Sequence, residues 1–403
     1  MRFADRVFVP GTAAATSGLA VTQTIGYGTL FYSFTILSGE FAAEFGWSRS
    51  FVFGVFSVGL LASGLAAPFV GSLLDRAGAR RPMALGSLMA AASLLAMAAT
   101  EGPASFIAAA IASQLASALV LYEAAFIAVA QAGGQRARLG ITQITLVAGF
   151  ASTIFWPFIV WLLGFLDWRQ VYLVLAGLNA LMCAPIHWWA LPGRTGTGTP
   201  VRAVTPVPPA AHERLGRAPP RHAMLLLGIC FCGGAVAITA TQIHLVGILA
   251  GLGFDVAAAA GLGALIGPFQ VGARVTEIAF GRRRSPMVSG LVSTIFLTLG
   301  LALLLLAGAS RAAAIGFAAF YGIGQGLTYI VRGAVPLYLF GADGYGRITG
   351  RLNSARLMLS GAAPFGFAWL VDRWGEAAAV IVLAGCAGVA AAAFLALSVQ
   401  ARH

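Results

Sequence analysis

"GSLLDRAGARRP", residues 71–82, sets Asp75, Arg76, Arg80 and Arg81 within seven positions of a 403-residue chain that is 59% hydrophobic and only 9% charged. Apolar runs at 49–74 and 83–100 flank it, so the charges sit in a turn between two segments that avoid water. A globular domain in water is about 45–50% apolar and about 25% charged. This chain therefore has a bilayer as its solvent. Crossing the hydrocarbon core takes about 20 mostly apolar residues as a helix, and only helices or closed barrels satisfy their backbone hydrogen bonds there. The long apolar runs exclude a barrel.

Outward from that turn, helices are expected near 14–40, 49–74, 83–100, 104–130, 140–165, 170–191, 222–249, 256–280, 286–308, 312–335, 350–371 and 377–398. They fall as six, a gap and six. The gap, 192–221, is rich in Pro, Gly, Thr and Arg without apolar periodicity and reads as a disordered cytoplasmic linker. The expected domains are an N-terminal six-helix bundle, 1–191, and a C-terminal one, 222–403. The polar start of the chain lacks a clear cleavage site, so the first helix is expected to be retained.

Orientation follows from Arg, since the chain has no Lys. With the N-terminus inside, cytoplasmic segments hold Arg76, Arg80, Arg81, Arg136, Arg138, five linker arginines, Arg282 to Arg284, Arg347 and Arg351; the other side holds Arg49, Arg169, Arg311 and Arg373. This asymmetry places both termini in the cytoplasm. The net charge of +12 is thus a matter of topology and does not point to nucleic acid. Cys183, Cys230, Cys232 and Cys386 lie in apolar runs without a C-x-x-C, so neither a disulfide framework nor a metal site is indicated. No cofactor is called for.

The halves echo each other: "WPFIVWLLGFLDW" (156–168) resembles "APFGFAWLVDRW" (363–374), which pairs Pro157 with Pro364 and Tyr122 with Tyr329. Repeated six-helix units joined by a cytoplasmic linker suit a transporter whose halves rock about a midplane site.

Gly71, Asp75, Arg76, Gly78, Arg80 and Arg81 spell G-x-x-x-D-R-x-G-x-R-R between helices 2 and 3. With the six-plus-six layout, this resembles the signature loop of the major facilitator superfamily along nearly the whole chain. The resemblance implies the fold of that superfamily: an all-α membrane protein of twelve spans in two pseudo-symmetric bundles. It also implies that Asp75 and Arg76 bond neighbouring helices of the N-terminal half and help hold the cytoplasmic side closed. Simple positive-inside anchoring would explain the arginines but not Asp75 or the glycines. "FAAEFGWSRS", "IHLVGILAGLGF" and an Arg in helix 8 are loosely similar to the monocarboxylate and oxalate/formate branches, which implies a small organic anion carried with a proton or by exchange, with Arg274 on its carboxylate. Helix 1 lacks a Lys, and Gln270 stands one turn before Arg274 where an acidic partner is expected.

Polar residues at helical spacing share a face that avoids lipid. Such stripes give Gln23 and Tyr27 in helix 1, Gln270, Arg274 and Glu277 in helix 8, and Tyr321, Gln325, Thr328 and Arg332 in helix 10. Substrate contacts are expected from Arg274, Gln23, Tyr27, Tyr122, Gln270, Tyr321 and Gln325, although neutral polar stripes also serve as glue between helices. Intramembrane charges mark function by default, which selects Glu123, Arg332, Glu277 and Arg356 for proton coupling or gating. Arg274 and Glu277, three apart, are spaced to pair within their helix. Glu123 and Arg332 stand at similar depth in helices 4 and 10 and suggest a gating ion pair; partners within their own halves are the alternative. His244 is the one His placed inside a span. "CFC" (230–232) invites a soft-metal reading, but its thiols point to different helix faces.

The expected activity is secondary active transport of a small organic solute, an anion such as a monocarboxylate, by rocker-switch alternating access with proton symport. The alternative is an exporter of drugs or toxic compounds, metalloids included. From another class, a non-transporting sensor stays open. An enzyme is not expected, for want of clustered catalytic residues or a nucleotide loop. Expected partners are the solute, protons and membrane lipids, with the chain acting as a monomer in a bacterial inner membrane.

Overall fold

The computed structural model describes residues 13–133, 137–191, 222–280, 285–340 and 345–401. Every regular element among them is a helix. The chain divides into two compact units, Met1–Val204 and Thr205–His403. The predicted linker, Arg136 and Arg282 to Arg284 lie outside the described residues.

In the first unit, α1 (13–45) consists of Ala13–Tyr27, a π-helical turn Gly28–Tyr32, and Ser33–Phe45. Next come α2 (Arg49–Ala77), α3 (Arg80–Ala98), and α4, broken at Leu121 into Pro103–Val120 and Tyr122–Gly133. Helix α5 comprises Ala137–Ala148 and Ala151–Leu163, and α6 comprises Trp168–Leu178, a π-helical turn Asn179–Cys183, and Ala184–Ala190. Local chemistry sets the ends. Ser48 accepts from the Phe51 amide to start α2. Asp167 and Gln170 form a capping box that starts α6, satisfying amides that the first turn leaves bare.

In the second unit, α7 is Ala223–Gly251 and α8 comprises Val256–Ala264 and Ile266–Phe280. Asp255 caps α8 by accepting from the Ala258 amide at 2.7 Å. After α9 (Pro286–Leu305) and α10 (Arg311–Phe340), the helical stretch Tyr345–Gln400 leaves helical geometry at Gly375, φ 81°. That left-handed backbone suits glycine and divides the stretch into α11 (345–374) and α12 (376–400). The sequence-based reading had runs 104–130, 140–165 and 256–280 unbroken; the structure interrupts all three.

Ten helices among the described residues are long and apolar enough to cross a membrane, the last a 50-residue run that includes Gly375. Helix α1 is not one of them, its composition being too polar; it carries Thr16, Thr22, Gln23, Thr24, Thr29, Ser33, Thr35 and Ser38, all buried. Conversely, Leu65, Phe69, Leu181 and Trp189 are each at least three-quarters exposed. Bare side chains of that size are a liability in water and at ease in lipid.

Candidate functional site

In the second unit, glycine packing brings the polar faces together. A Cβ on Gly322 would lie 2.8 Å from the Ile266 carbonyl oxygen, and one on Gly326 would lie 2.5 Å from that of Gln270. Both face α8. Gly324 faces α9, where a Cβ would come within 2.6 Å of the Leu297 nitrogen. Three helices thus meet backbone to backbone, as small residues allow in membranes. Ser293 of α9 donates to the Gly324 carbonyl at 2.8 Å and lies 2.8 Å from the Thr328 hydroxyl.

That packing sets the arginines. Arg274, 4% exposed, donates from Nε to the Gly326 carbonyl at 3.3 Å. Its guanidinium carbon lies 4.8 Å from the centre of the Tyr329 ring, and that of Arg332 lies 5.0 Å from the same centre. Arg332 also interacts with Arg356 and Arg274 through charge, and its enclosed Nε has no hydrogen-bond partner among the described residues. Arg356 donates to Asn353 at 3.3 Å. Cys230 and Cys232 of α7 lie near Arg332 and Arg356 respectively. Four helices therefore converge on three guanidiniums.

Glu277 does not make the expected intrahelical pair: its Oε1 accepts a 2.6 Å hydrogen bond from Ser289 of α9. A hydroxyl twelve positions away, brought alongside by packing, takes the place of the neighbour three positions back. Gln270 is buried, and Gln325, 1% exposed, has an enclosed Oε1 without a partner among the described residues. Tyr321 is fully buried and donates to the Ile238 carbonyl at 3.0 Å.

The first unit carries a different chemistry. Gln23, fully buried, donates to the Val120 carbonyl at 2.6 Å. The break in α4 at Leu121 frees that carbonyl, and Gln23 satisfies it. Tyr27 and Tyr122 pack with ring centres 4.6 Å apart, and Tyr122 stacks on Phe126. Beside them Tyr32 meets Trp156 edge to face. The π-helical turn of α1 begins at Gly28, where the Phe155 ring fills the space of a side chain. Asn179 joins this turn to the one in α6, donating to Thr29 at 2.9 Å. Such turns often mark functional places in helices. Glu123 is exposed in the first turn of the second part of α4, where a helix N-terminus favours a carboxylate.

Two features escaped the sequence. His187, 1% exposed in α6, lies 2.9 Å from Thr22 of α1 and 2.8 Å from Ser87 of α3. His244 is therefore not the one His inside a helix; it donates to the Pro364 carbonyl at 2.9 Å. The second feature is Gln131, which clasps the charged turn by donating to the Leu74 carbonyl at 3.0 Å and accepting from the Ala79 amide at 2.9 Å. Gly78 in that turn has φ 75°, which explains the glycine. A Cβ on Gly71 would meet Ile127 at an ordinary 3.9 Å, Arg80 lies over the Trp188 ring at 4.9 Å, and Arg76 is exposed. The role that the resemblance implies for Asp75 falls on a side chain outside the described residues. No group of three or more His, Cys, Asp or Glu able to hold a metal occurs among the described residues.

The sequence pattern of the Major Facilitator Superfamily matches residues 19–364. Among solved structures, a mutant of the nucleoside transporter NupG shares 14% identity at a TM-score of 0.71, covering 95% of this chain and 99% of that one. A bacterial homolog of the human lysosomal transporter Spinster, inward-facing and occupied, shares 14% identity at a TM-score of 0.65, with 98% of each chain covered. Its unoccupied form gives 13% and 0.68. At such identities the likeness is one of fold. No curated protein matches this chain.

Proposed function

The chain belongs to the major facilitator superfamily, and on that premise we propose that it is a secondary active transporter of a small organic anion. One observation carries the anion: among the described residues, the charged groups acting on Arg332 are Arg356 and Arg274, both cations, and its enclosed Nε lacks a partner. Charge held out of water needs a counter-charge. A carboxylate entering between α8 and α10 supplies it. Arg274 and Arg332 grip the anion beside Tyr329, with Gln270 and Gln325 as neutral neighbours. Tyr321 holds α7 to α10 through Ile238 and acts behind the site. In this reading Arg332 serves the anion and not a gating pair with Glu123.

All twelve helices cross the membrane, α1 included, with both termini in the cytoplasm, as the arginine asymmetry supports. Transport proceeds by rocking of the two halves in a bacterial inner membrane. The test is uptake of labelled mono- and dicarboxylates into proteoliposomes, with and without an inward proton gradient, comparing wild type with Arg274→Gln. The expected result is carboxylate uptake that rises with the gradient and falls by about thirtyfold or more in the variant, the range for removing one partner of a buried charge contact. Folded protein that moves no carboxylate would refute the anion reading.

A further inference from the structure

The second unit has a cavity of about 370 Å³ between α8 and α9, floored by Ile323 and Leu327 of α10. That volume lies within the range of small-molecule sites, about 300–1,000 Å³. It is separate from the arginine cluster. Its wall is apolar around Pro268, Phe269, Val292 and Phe296, the Thr276 hydroxyl on the same wall donates to the Gly272 carbonyl, and Val288 is 42% exposed at its rim. One carboxylate lines it, Glu277, together with Ser289, the hydroxyl that donates to it.

The polarity follows depth. Glu277 stands three residues before the end of α8 and Ser289 three after the start of α9, so the polar end lies within a turn of the helix termini, at headgroup level. Pro268 stands nine residues up α8 from Glu277, about 13 Å deeper at 1.5 Å per residue. A polar end at the interface and an apolar channel running inward match the two parts of a lipid. An open apolar cleft on a membrane protein is filled by acyl chain, and the carboxylate selects the headgroup above it. Ser289 occupies Oε1, and Oε2 has no partner among the described residues. A primary ammonium brings the complementary charge and three donors. A trimethylammonium has no donor, and an anionic headgroup is repelled.

We propose that this cleft is a lipid site selective for a primary-amine headgroup, that of a phosphatidylethanolamine, with the ammonium on Glu277 and one acyl chain along α8. The test is native mass spectrometry of the full-length protein released from micelles holding phosphatidylethanolamine, phosphatidylcholine and phosphatidylglycerol in equal amounts. The wild type is expected to retain the ethanolamine lipid at least about tenfold over the choline lipid, the worth of a charge-assisted hydrogen bond. Glu277→Gln, which keeps an acceptor for Ser289, should equalise the two. Gly272→Leu should diminish both, because a Cβ at Gly272 meets nothing within 4 Å and the added side chain fills the cleft without disturbing the helix. Ser289→Ala should leave the preference intact. Equal retention by wild type, a preference for phosphatidylglycerol, or a preference that survives Glu277→Gln would each overturn the proposal. So would a preference lost in Ser289→Ala but kept in Glu277→Gln.

Discussion

The two units are built alike and furnished differently. In the first, the polar side chains facing the helix contacts are neutral: Gln23 holds the Val120 carbonyl, Asn179 holds Thr29, and His187 bridges Thr22 and Ser87. In the second, Arg332 has Arg274 and Arg356 for charged neighbours. The first arrangement serves stability, since each bond satisfies a group that would otherwise be buried bare. The second runs against it. Like charges held together in low dielectric repel, and a feature that weakens the fold is retained where function needs it.

The sharpest way to break this contrast is to treat the two sides alike. Arg332→Met should abolish carboxylate uptake, by about thirtyfold or more, while leaving the unfolding temperature unchanged or raised, since an apolar replacement of a buried charge is often neutral or stabilising. Gln23→Leu should do the reverse. It leaves the Val120 carbonyl bare, which costs about 1–3 kcal/mol, and uptake per folded molecule should survive. Uptake assays paired with thermal unfolding separate the two outcomes. If Arg332→Met destabilises and still transports, the arginine cluster is structural.

Next in size is the packing that builds the cluster. Gly326→Ala sets a Cβ 2.5 Å from the Gln270 carbonyl oxygen and should destabilise by about 1–3 kcal/mol, the range for overpacking. Uptake should fall with it, because α8 carries Arg274. Gly272→Ala, with open space around its Cβ, should be neutral or stabilising by up to about 1 kcal/mol.

The smallest effect belongs to the first unit. Glu44, beyond the predicted span 14–40, accepts hydrogen bonds from Arg169 at 2.8 Å and Trp168 at 2.6 Å. The Arg169 bond, then that of Trp168, hold its pKa below the ordinary value. A depressed carboxyl contributes stability above its unfolded pKa and loses it as pH falls through the folded one. Because the pair is exposed, solvent screens it. Glu44→Gln should flatten a shallow acid limb in unfolding followed by Trp fluorescence; an unchanged limb would assign the acid sensitivity to another carboxylate.

Much of this was legible in the residues. Apolar runs marked the helices, the signature turn marked the family, and helical spacing put Gln270, Arg274, Gln325 and Arg332 on inward faces. The Gly322-x-x-x-Gly326 spacing is also legible as a close-contact signal. His187 was overlooked because its run reads as plain apolar helix. Gln131 gave no signal at all, since its partners are backbone atoms more than fifty positions away.

The sequence by itself determined solvent, helical class, family and the inward stripes, because hydrophobic transfer and helical periodicity act locally along the chain. Only the tertiary structure decided partners. Whether Glu277 would meet Arg274 or Ser289, and whether Arg332 would stand among cations, depended on how closely α8, α9 and α10 approach. Glycines set that approach, and a hydrogen bond forms only with the atom that packing brings within reach.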